Sequence, residues 1–88
     1  MRTAEFIDSA RALPWVRKIE LVIATNAHTY LLINAGKRNG NIAAEIDIEE
    51  TMTFSTNFDN WNKLKIAEKR ILYGLIDEYA RTELLDRR

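Results

Sequence analysis

The chain has 88 residues, 47% of them hydrophobic, with three Gly, one Pro and no Cys. That is room for one small core spanning 1–88 as a single domain; a disordered tail, a disulfide scaffold and any cysteine-ligated metal site are excluded. Thirteen basic and thirteen acidic side chains cancel, so no global field draws the molecule onto nucleic acid or an anionic membrane, and such binding would need a local patch.

In chain order, Thr3 is a competent cap for a first helix, with Glu5 in its opening turn. Phe6, Ile7, Ala10 and Leu13, at spacings of three and four, make one narrow apolar face. Pro14 disfavours helical geometry at Leu13 and ends the helix, and Trp15 and Val16 follow as core anchors. Met1 to Glu5 leads into a short apolar turn without a small-residue cleavage site, and no long apolar run follows. A cytosolic location without a membrane partner is therefore expected.

From Arg17 to Thr25 the residues alternate as a strand, Ile19, Leu21 and Ile23 against Glu20, Val22 and Ala24. Asn26, Ala27 and His28 form a turn, and Thr29 to Asn34 repeats the pattern with Tyr30 and Leu32 opposed to Leu31 and Ile33. The segment Gly36-Lys37-Arg38-Asn39-Gly40 is the strongest turn signal, and its glycines lack the spacing, Lys-Ser/Thr end and following helix of a phosphate loop. Apolar even positions Ile42, Ala44, Ile46, Ile48, Met52 and Phe54 then predict one long strand, or two short ones broken near Glu49 and Glu50.

Ser55, Thr56 and Asn57 can each cap a main helix running to about Arg81. Its stripe of Trp61, Leu64, Ala67, Ile71, Leu72, Leu75, Ile76 and Tyr79 should cover the sheet. Beyond Thr82 a short, frayed helical turn is expected, with Asp77–Arg81 and Glu83–Arg87 as favourable pairs four apart. The expected fold is α+β: an α-β-β-β-α two-layer sandwich whose antiparallel sheet has three strands, or four if the last breaks, under a long C-terminal and a short N-terminal helix.

Chemistry is sparse. Glu45, Asp47 and Glu49 at two-residue spacing predict a solvated acidic face, with adjacent members about 6.5 to 7 Å apart, too far for a pair to chelate a cation unaided. His28 is the only histidine and reads as an exposed turn residue; a general base needs an orienting partner and a pocket. Ser9 and Ser55 lie in no nucleophile motif. No enzyme, cofactor or metal site is expected.

Surface is the better signal. Ile66, Tyr73 and Ala80, flanked by Lys69, Arg70 and Asp77, recur at seven-residue spacing opposite the sheet-facing stripe, and Val22, Leu31 and Ile33 are expected on the outer sheet face. A helix apolar on two sides usually contacts two things, which predicts a homodimer or another protein as partner. The alternative is a nucleic-acid-directed role, by backbone binding through Lys63, Lys65, Lys69 and Arg70 or by phosphate mimicry through Glu45, Asp47 and Glu49. Zero net charge disfavours the former.

The stretch from Leu72 to Arg87, through Tyr79, Ala80, Thr82, Leu84 and Arg87, resembles the end of small phage- and prophage-encoded proteins of Gram-positive bacteria. In those an apolar helix leads to a Tyr-Ala pair, Thr-Pro-Leu and an Arg; here Glu83 stands in the proline position. The resemblance spans residues 72 to 87 and implies a cytosolic accessory protein, assigning an activity to no residue.

Overall fold

The computed structural model describes residues 1–36 and 41–88. Helix α1 (Thr3–Arg11) is followed by strands β1 (Val16–Ile23), β2 (Thr29–Ala35), β3 (Ile42–Asp47) and β4 (Phe54–Ser55). A short helix α2 (Asp59–Asn62), the main helix α3 (Ile66–Arg81) and a 3-10 turn (Leu84–Arg87) complete the chain. The strands form one antiparallel sheet in the order β1-β2-β3-β4, so the α+β sandwich is realised with four strands and with β1 and β4 at its edges.

Register decides which side chains meet the helices, because residues paired across strands point to the same face. Leu21 pairs with Leu31 and Leu31 with Ile46; Ile19 pairs with Ile33 and Ile33 with Ala44. These rows face α1 and α3, and Leu31, Ile33 and Ile46 join Phe6, Leu72, Ile76 and Tyr79 in one fully buried cluster. Each such aliphatic side chain contributes about 1.5 to 3 kcal/mol by leaving water. Leu31 and Ile33 are therefore core and not outer-face residues. Val22 pairs with Tyr30 and Glu20 with Leu32, so the open face carries Val22, Tyr30 and Leu32 instead.

The alternation in β3 is broken once. Asn34 pairs with Ile42 and Ile33 with Ala44, which makes Ala43 the extra residue of a bulge. Ile42 accordingly falls on the open face, while Ala43 and Ala44 are both buried. Gly36 has φ of +104°, as its place in a turn requires; the rest of the expected 36–40 turn lies outside the described residues.

Phe6 and Ala10, four apart, seat α1, and Phe6 stacks on Tyr79 at 4.9 Å between ring centres. Thr3 does not cap its helix through its side chain: its Oγ1 hydrogen-bonds the Tyr79 hydroxyl at 2.7 Å, tying the start of α1 to the end of α3. The single long helix expected from about residue 57 is two. Asn60 donates from Nδ2 to the carbonyls of Ala35 (2.9 Å) and Asn41 (3.1 Å), fixing α2 to the ends of β2 and β3. The chain turns through Lys63–Lys65, and α3 starts afresh with Glu68 accepting the Lys65 N–H at 2.8 Å. Leu64, Leu72, Ile76 and Tyr79 of the expected stripe are buried, but Ala67 and Ile71 are exposed.

The C-terminal turn is anchored, not frayed. Arg87 is 3% exposed, and its guanidinium lies 4.5 Å over the Tyr79 ring. It donates to the carbonyls of Thr82 (3.1 Å), Ala80 (3.0 Å), Asp47 (3.2 Å), Ile48 (2.9 Å) and Glu50 (3.4 Å). The expected Glu83–Arg87 surface pair is thus replaced by an inward clamp, whereas Asp77–Arg81 forms at 3.1 Å.

Candidate functional site

Three regions combine unusual surface or charge. The first lies where the β1–β2 turn meets the segment after β3. Asp47 ends β3 on the same face as Tyr30 and is fully buried, which corrects its expected place in a solvated acidic row. Burial disfavours a carboxylate's charge, and its neighbours answer that: His28 Nδ1 lies 2.7 Å from Oδ2, and the Glu49 N–H donates to Oδ1 at 2.8 Å. The desolvation that would raise Asp47 is outweighed by these bonds, and its pKa sits below the usual carboxylate range. The bond to Asp47 raises His28 above the ordinary imidazole value, against a smaller desolvation effect, with Glu49 and Glu50 adding to the rise.

His28 is thus an oriented residue with its side chain 35% exposed. Glu49 has left the strand for the following turn, where its carboxylate accepts the Thr29 N–H; Glu45 stays on the open face. His28, Asp47 and Glu50 each offer a ligand atom within 4.8 Å of the others. A cation there would have to displace the His28–Asp47 hydrogen bond, because Oδ1 is held by Glu49. The geometry accounts for the cluster as the means of burying Asp47 and closing the turn.

The second region is a groove of about 720 Å³ between the start of β1 and the α2–α3 turn, lined by Trp15, Arg17, Asn60, Lys63, Lys65 and Glu68 among others. Arg17 Nε donates to the Gly36 carbonyl at 2.7 Å, and the Trp15 Nε1 is buried with no hydrogen-bond partner among the described residues. The expected basic patch is therefore divided. Lys63 and Lys65 border this groove, while Lys69 and Arg70 flank a shallower hollow with Trp61, Tyr73 and Gly74.

The third region is apolar. On α3, Ile66 is 70% and Tyr73 46% exposed, with Tyr73 meeting Phe54 and Trp61 edge-on at 5.8 and 6.4 Å. Ala80 is fully buried, because the β3–β4 connection and the C-terminal turn close over it: its carbonyl accepts the Met52 N–H at 2.9 Å and Arg87 Nη2 at 3.0 Å. The expected ridge is therefore shortened to Ile66 and Tyr73, with Ala80 withdrawn into the core. The sheet edge carries a second set of exposed apolar side chains. The helices stop short of the C-terminal half of β1, leaving Leu21 58% and Ile23 74% exposed on the helix side. On the other side Val22, Ala24, Tyr30, Leu32 and Ile42 line a shallow depression with Glu45 at its rim.

Val22 lies on the outer face as its alternation predicts, whereas the exposure of Leu21 and Ile23 on the opposite face has no signal in the sequence. What decides it is how far across the sheet the layer formed by α1 and α3 reaches. No family model, no curated protein and no solved structure matches this chain. Among the described residues, no helix is long and apolar enough to cross a membrane.

Proposed function

We propose that the chain is a non-enzymatic protein-interaction domain that self-associates through its sheet, serving as an accessory protein of phage or prophage origin. The observation that carries the reading is the exposure of three consecutive apolar residues, Leu21, Val22 and Ile23, on a strand with a neighbour on one side only. Leu21 and Ile23 lie on the helix side and Val22 on the open face, so apolar side chains flank the edge from both faces; exposed apolar surface of this kind marks an interaction site, and an edge strand adds unpaired backbone donors and acceptors to it. The phage context rests on the resemblance of residues 72 to 87. Within that stretch Arg87 and Tyr79 form the clamp that completes the fold, so the similarity bears on architecture and not on a reactive site.

The test is solution mass. Size exclusion with light scattering is expected to report two chains per particle, and a mass of one chain at high protein concentration would sink self-association. A nucleic-acid-directed role is the second reading, favoured by the placement of Arg17, Lys63 and Lys65 around a groove that also contains Trp15, since bases beside an aromatic ring suit a single strand. Fluorescence anisotropy with labelled DNA and RNA at low salt decides it: saturable binding that weakens as salt rises supports it, and no change in anisotropy removes it. The mimicry variant loses its basis with the burial of Asp47, because Glu45, Asp47 and Glu49 no longer form an exposed row.

A further inference from the structure

We infer that the groove between the start of β1 and the α2–α3 turn is a site for a nucleoside phosphate, its base against Trp15 and its phosphate among Arg17, Lys63 and Lys65. This rests on the nucleic-acid-directed second reading above, which it narrows to a site taking one nucleotide at a time, and it is independent of self-association. A cleft of about 720 Å³ is the size of small-ligand sites, which run from about 300 to 1,000 Å³. Trp15 packs against the core and lines the groove, and the Gly36 N–H donating to its carbonyl at 2.8 Å holds its backbone in place. An indole held in this way is a stacking platform, since every base offers a π-face.

The cations of the groove are uncommitted. Arg17, Lys63 and Lys65 form no ion pair among the described residues, although the whole chain carries as many acids as bases. The Gly36 carbonyl holds Arg17 Nε, which fixes the guanidinium and leaves both Nη groups to meet phosphate oxygens. Lys63 and Lys65 flank the turn into α3, whose first N–H groups lack intrahelical acceptors and add partial positive charge. Among the described residues the one carboxylate lining the groove is that of Glu68, and it accepts the Lys65 N–H at 2.8 Å. Asn60 is 8% exposed, and its Nδ2 is committed to the carbonyls of Ala35 and Asn41. Its Oδ1 is the polar atom left for a ligand, an acceptor suited to the amino group of a base. The positive surface does not run on from here, because Lys69 and Arg70 flank a separate hollow. A strand is held along a basic track over about 4 or more nucleotides, whereas the described lining of this groove offers a single aromatic ring.

The test is calorimetric titration of the native chain at low salt with adenosine monophosphate, and separately with adenosine, inorganic phosphate and a single-stranded oligoadenylate. The monophosphate is expected to bind saturably, at least about tenfold more tightly than adenosine or phosphate, because only it engages the ring and the cations together. Lys63→Gln/Lys65→Gln should weaken that binding at least about tenfold, whereas Lys69→Gln/Arg70→Gln, in the other hollow, should leave it within about twofold. Circular dichroism checks that both variants are folded. With this pattern, an oligoadenylate bound no more tightly than the monophosphate marks the free nucleotide as the ligand, and one bound more tightly marks a nucleotide within a strand. Phosphate binding as tightly as the nucleotide reduces the groove to an anion site and overturns the inference. So does nucleotide binding that Lys63→Gln/Lys65→Gln leaves unchanged. Oligoadenylate binding without binding of the monophosphate overturns the single-nucleotide site but leaves the nucleic-acid reading standing. Binding of neither overturns both.

Discussion

Asp47 shows at the residue scale how a charged side chain becomes part of a core. It is fully buried, yet both of its oxygens have partners, His28 on one and the Glu49 N–H on the other. His28 is raised by that bond, so the stability it contributes is fully present below its unfolded pKa and drains away as pH rises through the folded value. Asp47 is lowered, so its contribution is present above its unfolded pKa and is lost as pH falls through the folded one. The pair supports the fold best in between, at roughly pH 4 to 6.5. The melting temperature of the native chain should therefore fall as pH rises above about 6.5, only in part because neutral imidazole still donates from Nδ1. In His28→Gln that fall should be flattened, and an identical pH profile in the two proteins would refute the coupling. Arg87 acts similarly on the backbone. Removing it takes a donor from carbonyls at the ends of α3 and β3, of which Ala80 keeps the Met52 N–H, so Arg87→Ala should cost about 2 to 4 kcal/mol in urea unfolding. Arg87→Lys should recover little, since an ammonium lacks the planar fork that reaches all these carbonyls. Neither role could be read from sequence. His28 and Asp47 are 19 positions apart, and Arg87 and Asp47 40; such contacts depend on where two turns land once the sheet is formed.

Elements were more legible than the contacts between them. Apolar spacing located α1, the β1–β2 hairpin and the body of α3, because a period of two or of 3.6 is a local property of the chain. The bulge at Ala43 and the break between α2 and α3 were not legible. Ala43 differs little in character from Ala44, and the break follows from Asn60 bonding to the ends of two strands. The same limit explains Leu31 and Ile33: alternation gives two faces, but the register and the helix positions decide which one is covered. The β1–β2 turn carries a local strain that can be tested. Ala27 sits at φ of 67°, a left-handed conformation that costs an L-residue about 1 to 2 kcal/mol. The turn holds it there through the Ala27 N–H to the Ala24 carbonyl and the His28 N–H to Asn26 Oδ1, both at 2.9 Å. Ala27→Gly should accordingly raise stability by up to about 1 kcal/mol, the relief of strain exceeding glycine's larger entropy loss. A lower urea midpoint in this variant would contradict that account.

At the scale of the whole molecule, the one helical layer of α1 and α3 is too narrow for the sheet it covers. The core is closed over β2 and β3, whose Leu31, Ile33 and Ile46 are fully buried, while Leu21 and Ile23 on the edge strand remain largely in water. Because these two already contact solvent in the single chain, replacing them should barely alter folding, within about 0.5 kcal/mol, as for ordinary surface substitutions. Their effect on association should be large. In the Leu21→Lys/Ile23→Lys double variant, pairing along β1 would bring cationic side chains together and remove the apolar contact, which is how edge strands are normally guarded. The variant should therefore retain its circular dichroism while its solution mass falls from two chains to one, and its urea midpoint should match the native chain's only at concentrations where the native chain is itself dissociated. Ile66→Glu on α3 makes the contrast: that residue is equally exposed, lies outside the sheet edge, and should leave the mass at two. Dissociation by Ile66→Glu together with an unaffected Leu21→Lys/Ile23→Lys variant would move the interface to the helix and discard the edge strand as its site.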